Sequence, residues 1–295
     1  MRKQVLFILS LFLAINLHAE NKFVIEGSVA NVPDGLIVEL LRNEDNVGML
    51  VASDTLRNGK FRFEEETSGN GTDWMFLTAR TENYYSMILY LWVRPGSSIR
   101  ISADNLLVYT WNVESDVPEQ QTRSKILASS RDLWNEYQIL DGDYDSLRSR
   151  IKSGKYSGEK KKRQKARLDS MKQAKSMLQD RISAVELEAM AKLDVDQAWM
   201  LNYVNTAYMV NISKNKDNLE KAKALYAYIP DVWRDSYSGR EAKNVLFPQH
   251  VVEVGEEAAD ADLYDIDGKL WHLSDFRGRY VLIDFWSRGC GPCKM

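Results

Sequence analysis

The chain has 295 residues, of which 44% are hydrophobic and 27% charged, and its formal net charge is −3. This composition supports packed cores and excludes a disordered chain, and the slightly acidic balance argues against a nucleic-acid binder. Length alone suggests two domains.

Residues 1–19 read as a secretory signal peptide. Arg2 and Lys3 make a basic start, Val5 to Leu17 is an apolar run broken only by Ser10 and Asn16, and Leu17-His18-Ala19 ends on a small residue. The run is short for a membrane span. No cysteine stands near Ala19, which argues against a bacterial lipid anchor, and no later run approaches membrane-spanning length. The expectation is a mature chain in the periplasm or cell envelope, with no stable membrane span once the signal is removed. Its loss takes Arg2 and Lys3 but no acid, so the mature chain is two charges more negative.

Residues 20–115 read as β structure, the short strands suggesting a sandwich or barrel, with a sandwich-like domain expected. Phe23-Val24-Ile25 alternates with polar neighbours, and Asn31 to Gly35 forms a turn before Leu36 to Leu40. Asn58-Gly59 is a strong short hairpin signal, because both residues tolerate positive φ. Phe61-Arg62-Phe63 follows, then Trp74 to Thr78, Met87 to Val93 and Ile99 to Ser102, with Pro95-Gly96 as a further turn.

Residues 116–247 read as helical. Asp116 is the candidate N-cap, with Pro118 and Glu119 in the first turn. Ile126, Leu133, Tyr137 and Leu140 share one face; Leu168, Met171, Ala174, Leu178, Ile182, Val185 and Ala189 make a longer stripe. Asp196 can cap a third helix carrying Trp199, Met200, Tyr203 and Val204, and two shorter helices flank Pro230. Such stripes are expected to be core. Between Arg148 and Lys175 lie twelve Lys or Arg and only Glu159 and Asp169 as acids. That stretch reads as a solvated loop and helix start, with a docking surface for an acidic partner or anionic lipid headgroups as the functional alternative.

Residues 248–295 change character again. Leu263 to Leu273 reads as a hairpin around Asp267-Gly268. Tyr280 to Trp286 is nearly continuous and apolar, as in a strand buried on both faces. It leads into Cys290-Gly291-Pro292-Cys293, whose two cysteines are the only ones in the chain. Two cysteines at this spacing at a helix start can close a small disulfide ring. The first sits where free backbone N–H groups and the helix dipole stabilise a thiolate. Cys290 is therefore read as nucleophile and Cys293 as resolver, with Pro292 and Gly291 shaping the turn and its potential. Asp284, inside the apolar run, is expected to be buried with a raised pKa, able to take the proton of the resolving thiol; the alternative is a hydrogen-bonded structural Asp. Half of a zinc site is the rival for the cysteines, but only His250 and His272 remain as further partners and neither has motif spacing. No metal and no cofactor are expected.

The segment from Val281 through Asp284-Phe285-Trp286 to Cys290-Gly291-Pro292-Cys293-Lys294-Met295 resembles the active-site segment of thioredoxin. Val254-Gly255, Asp267-Gly268-Lys269 and Leu273-Ser274-Asp275-Phe276-Arg277-Gly278 resemble the envelope TlpA/ResA-like branch of the AhpC/TSA-like thioredoxin superfamily. Residues 22 to about 110 are similar, more loosely, to the N-terminal domain of unknown function that precedes such oxidoreductase domains in gram-negative envelopes. Gly289 departs from the family, because thioredoxin has a Trp there. The peroxidase side of the superfamily uses a lone cysteine in a different segment, which favours disulfide exchange here.

The resemblance implies an α+β multidomain chain: an N-terminal β-sandwich, a central helical region and an incomplete C-terminal thioredoxin-like α/β segment. The family's later helix, strands and cis-proline loop do not follow the motif, so activity is expected to be impaired and the segment poorly packed unless it leans on the helices. It further implies a thiol-disulfide oxidoreductase, on the reducing side, with Trp286, Gly291 and Pro292 supporting the cysteines. Protein disulfides would be its substrates and a membrane thiol reductase its electron donor. The alternative is a non-catalytic binding or dimerisation module with an idle redox remnant.

Overall fold

The computed structural model describes residues 21–44, 47–81, 84–248 and 252–284. The chain is α+β and divides into two compact units, one ending at Leu246 and one starting at Phe247.

Among the described residues, the first unit has nine strands, which precede its helices. They are β1 (Lys22–Val29), β2 (Ile37–Glu44), β3 (Val47–Thr55), β4 (Lys60–Glu66), β5 (Asp73–Thr81), β6 (Tyr84–Tyr85), β7 (Leu89–Val93), β8 (Ser98–Ala103) and β9 (Asn112–Glu114). One sheet has the order β4-β1-β8-β9, with β1 and β8 parallel. The other runs β3-β2-β5, and β6 and β7 share the free edge of β5. Both sheets contribute to one apolar cluster: Phe23, Ile25, Phe63 and Ile99 from the first, Val38, Leu40, Leu77 and Leu91 from the second. The alternation in β1, β4 and β8 produces this, because successive side chains point to opposite faces.

Turn chemistry connects the sheets. Asn58 and Gly59 have φ of 50° and 69°, and Arg57 and Lys60 exchange backbone hydrogen bonds of 3.1 and 3.0 Å. The expected tight turn is present, yet it passes the chain from β3 in one sheet to β4 in the other. At Pro95-Gly96, Gly96 has φ of 78° and Ser97 N donates to Arg94 O at 3.0 Å, the type II pattern.

Six helices follow: α1 (Pro118–Lys152), α2 (Gly158–Met190), α3 (Gln197–Ser213), α4 (Lys216–Tyr226), α5 (Asp231–Arg234) and α6 (Tyr237–Leu246). Helices cover the outer face of the second sheet. Trp92 is buried with Val117 and Ala198, and Tyr109, Leu127, Trp134 and Ile182 pack with Tyr90. At β7 this sheet is thus covered on both sides, which explains why the strand is buried at Leu89, Leu91, Trp92 and Val93 without strict alternation. Glu119 in the first turn of α1 receives a two-pronged bond from Arg94 at 2.7 and 2.9 Å, and Gln120 Oε1 accepts Trp92 N at 2.9 Å.

Asp116 is not the cap of α1. It is exposed, and the N-cap is Val117, which makes no side-chain cap bond. Burial of Val117 against Trp92 and Ala198 decides the entry of this helix, so an apolar anchor stands where a polar cap was expected. Asp196 does cap α3, its carboxylate accepting Trp199 N at 2.8 Å. In the long stripe of α2, Met171, Leu178 and Ile182 are buried, as are Glu186, Leu187 and Met190. The basic stretch forms the tip of the α1–α2 hairpin, where Lys160 to Arg163 are all exposed. Lys175 instead pairs with Asp141. Among the described residues, no helix is long and apolar enough to cross a membrane.

The second unit holds two short strands, β10 (Leu263–Tyr264) and β11 (Leu270–Trp271), paired antiparallel around Asp267-Gly268, where Gly268 has φ of 77°. A 3₁₀ turn covers Leu273–Phe276.

Candidate functional site

Cys290, Gly291, Pro292, Cys293 and Trp286 lie outside the described residues, as does His250 of the zinc alternative. Asp284 is described, and it is exposed and outside any strand. The expectation of a buried carboxylate there does not hold. Tyr280 to Asp284 likewise form no strand, and Tyr280 and Leu282 are fully exposed, at 108% and 96%. A strand buried on both faces needs paired neighbours and covering layers. Among the described residues of this unit, strand pairing is confined to β10 and β11.

The turn preceding this segment is held by its own carboxylates. Asp265 Oδ1 accepts Asp267 N at 3.0 Å and Lys269 N at 2.9 Å, while Oδ2 accepts Trp271 Nε1 at 2.9 Å. These bonds, that of Trp271 foremost, hold the Asp265 carboxyl below its ordinary range. The Lys269 ammonium stands 3.9 Å from the Trp271 ring centroid, and Trp271 stacks on Phe276 at 5.9 Å. His272 N donates to Asp275 Oδ2 at 2.8 Å, which starts the 3₁₀ turn. His272 Nδ1 lies 3.7 Å from Asp262 and 4.0 Å from Asp260. Among the described residues, no group of three His, Cys, Asp or Glu could hold a metal ion.

A second constellation lies in the first unit, and the sequence reading passed over it. Arg123 on α1 and Glu186 on α2 are only 2% and 5% exposed. Glu186 Oε1 accepts both Ser130 Oγ and Trp134 Nε1 at 2.7 Å. Arg123 Nη1 donates to Asn202 Oδ1 on α3 at 2.8 Å, and Asn202 Nδ2 donates back to Ala198 O at 2.8 Å. The guanidinium lies 5.1 Å from the Tyr109 ring centroid and 5.6 Å from that of Tyr90. Burial pushes the Tyr109 hydroxyl up to about 12, against the pull of Arg123. Burial also raises the Glu186 carboxyl, opposed first by Arg123 and then by its two donors. The sequence marks this group weakly: Glu186 stands between Val185 and Leu187, whereas Arg123 is flanked by Thr122 and Ser124, three residues before Ile126.

Comparison with known proteins gives a local likeness. The chain is 40% identical over 43 residues to "Thiol-disulfide oxidoreductase ResA" of Bacillus thuringiensis subsp. konkukian, covering 15% of this chain and 25% of the relative. It is 37% identical over 51 residues to the protein of the same name from Geobacillus thermodenitrificans, covering 17% and 29%. The Geobacillus kaustophilus protein gives 39% over 51 residues, with the same coverage. The chain thus spans about a quarter of the length of these curated relatives. No family model matches the chain, and no solved structure matches it.

Proposed function

We propose that this protein is a thiol-disulfide oxidoreductase of the cell envelope, acting by dithiol-disulfide exchange at Cys290 and Cys293. The observation that carries the reading is the Cys290-Gly291-Pro292-Cys293 motif in a chain with no other cysteine. The local likeness to thiol-disulfide oxidoreductases supports it. In this reading residues 20–115 form a sandwich-like domain and residues 116–247 a helical region, which together hold or select partners. Residues 248–295 contribute the thioredoxin-like part.

The Cys290 thiolate attacks one sulfur of a substrate disulfide and forms a mixed disulfide, releasing the other substrate sulfur as a thiolate that takes up a proton. Cys293, deprotonated, then attacks Cys290 Sγ. The Cys290–Cys293 disulfide forms and the second substrate thiol leaves. Two electrons pass from the motif to the substrate. A membrane thiol reductase returns them to the motif. The proton of Cys293 passes to solvent in the second step, because Asp284, the expected acceptor, is exposed and lacks the burial that the role requires.

Insulin-disulfide reduction by the full chain, with dithiothreitol as reductant, tests this proposal. The wild-type chain should turn over slowly, in keeping with the impaired activity expected of it, and Cys290→Ser should abolish the reaction. Activity surviving in Cys290→Ser would refute the nucleophile assignment. No turnover by the wild type would leave a binding or dimerisation module as the better reading.

A further inference from the structure

A cavity of about 220 Å³ lies where β7, the turn at Val108–Thr110 and helices α1, α2 and α3 meet. Tyr90, Tyr109, Trp134 and Ile182 supply aromatic and apolar wall, and Arg123 and Glu186 supply the charged groups.

Arg123 is the informative residue. One of its three nitrogens, Nη1, is engaged by Asn202. Its Nε and Nη2 are buried and, among the described residues, have no hydrogen-bond partner. Nη2 is the nitrogen trans to Cδ, so its inner N–H runs parallel to that of Nε. These two donors form the side-on fork that matches the two oxygens of a carboxylate. A buried cation with open donors is costly unless an acceptor meets it. Glu186 does not serve, because no ion pair joins it to Arg123 and its Oε1 already accepts Ser130 and Trp134. The Tyr90 and Tyr109 rings cover the guanidinium by cation–π contact, and the Tyr109 hydroxyl, which also interacts with it, makes no hydrogen bond to Nε or Nη2.

We propose that this cavity binds a small aromatic or apolar monocarboxylic acid, its carboxylate received by Arg123 Nε and Nη2 and its body seated against Tyr109 and Trp134. The volume lies below the roughly 300–1,000 Å³ of pockets for drug-sized ligands, which limits the ligand to a compact acid. The carboxylate of Glu186 on the same wall disfavours a second negative charge, so a dianion such as phosphate is excluded. Asn205 on α3 is exposed and lines the same cavity, which places it at the rim.

Isothermal titration of the full chain with phenylacetate and benzoate tests the proposal, with phenylacetamide and inorganic phosphate as comparators. One molecule of at least one acid should bind per chain. The amide should bind at least about tenfold more weakly, because it cannot meet both donors as an anion. Arg123→Gln should weaken binding by a similar factor. Asn205→Trp, at an exposed rim position, should obstruct entry while the circular dichroism spectrum and Tm stay unchanged; it decides the matter if Arg123→Gln does not fold. Binding of neither acid, equal binding of the amide, preference for phosphate, or undiminished binding in folded Asn205→Trp would each overturn the proposal. The cysteines take no part, so the outcome is independent of exchange activity.

Discussion

Trp134 on α1 and Glu186 on α2 meet in a 2.7 Å hydrogen bond from the indole Nε1 to the carboxylate Oε1. Ser130, one helical turn before Trp134, shares that oxygen at the same distance. A buried carboxylate thereby joins the two long helices behind the aromatic face of β5 and β7, where Trp74 stacks on Trp92 and Phe76 meets Tyr90 edge-on.

Glu186 makes stability depend on pH. Burial holds its carboxyl above its ordinary range, so the folded chain binds this proton more tightly than the unfolded chain does. Its contribution is full below the unfolded pKa and is lost as pH rises from there through the folded pKa. Glu186→Gln keeps an acceptor oxygen and removes the ionisation. The Tm of the variant relative to wild type should therefore rise as pH is raised above the ordinary glutamate pKa of about 4.3. A Tm difference independent of pH would contradict this account.

Trp134→Phe keeps the ring and removes the donor. It should cost about 1–3 kcal/mol in urea denaturation, since one of the two bonds to a buried carboxylate is lost. The same substitution in a Glu186→Gln background should cost less, and equal costs in both backgrounds would rule out the coupling.

Gly27 on β1 is paired with Phe61 on β4, and a Cβ at Gly27 would enter the Phe61 ring. Gly27→Ala should destabilise the first unit by about 1–3 kcal/mol through overpacking. Phe61→Leu should recover part of that loss in the double variant. A neutral Gly27→Ala would show that the ring moves aside freely.

The two candidate caps should behave differently. Asp196→Ala should cost about 1 kcal/mol, because Trp199 N loses its acceptor. Asp116→Ala should be neutral within about 0.5 kcal/mol, because the exposed carboxylate caps nothing. Thermal denaturation of the two variants side by side checks both expectations.

On the proposed exchange mechanism, Cys293→Ser should stop turnover after its first half. A mixed disulfide between Cys290 and a substrate thiol should then accumulate and appear as a mass adduct on the intact chain. An adduct on Cys293 in Cys290→Ser, with none in Cys293→Ser, would reverse the two roles.

The sequence by itself determined what local backbone rules decide. Asn58-Gly59, Pro95-Gly96 and Asp267-Gly268 form turns where the glycines require positive φ, and alternation marked the inward residues of β1, β4 and β8. Asp196 was legible as a cap because a cap acts within three residues. The proposed cysteine chemistry rests on spacing alone. Tertiary structure decided burial. Nothing in the local sequence around Arg123 and Glu186 foretold their burial, and packing against the outer face of β5 and β7 encloses them. Val117 displaced Asp116 at the start of α1 because Trp92 lies beneath it. Asp284 read as buried from its apolar neighbours, yet burial of a strand belongs to the layers around it, and Tyr280 to Asp284 are exposed. A side chain's type is local, whereas its dielectric surroundings come from residues far away in the chain, as with Trp134 and Glu186, 52 positions apart.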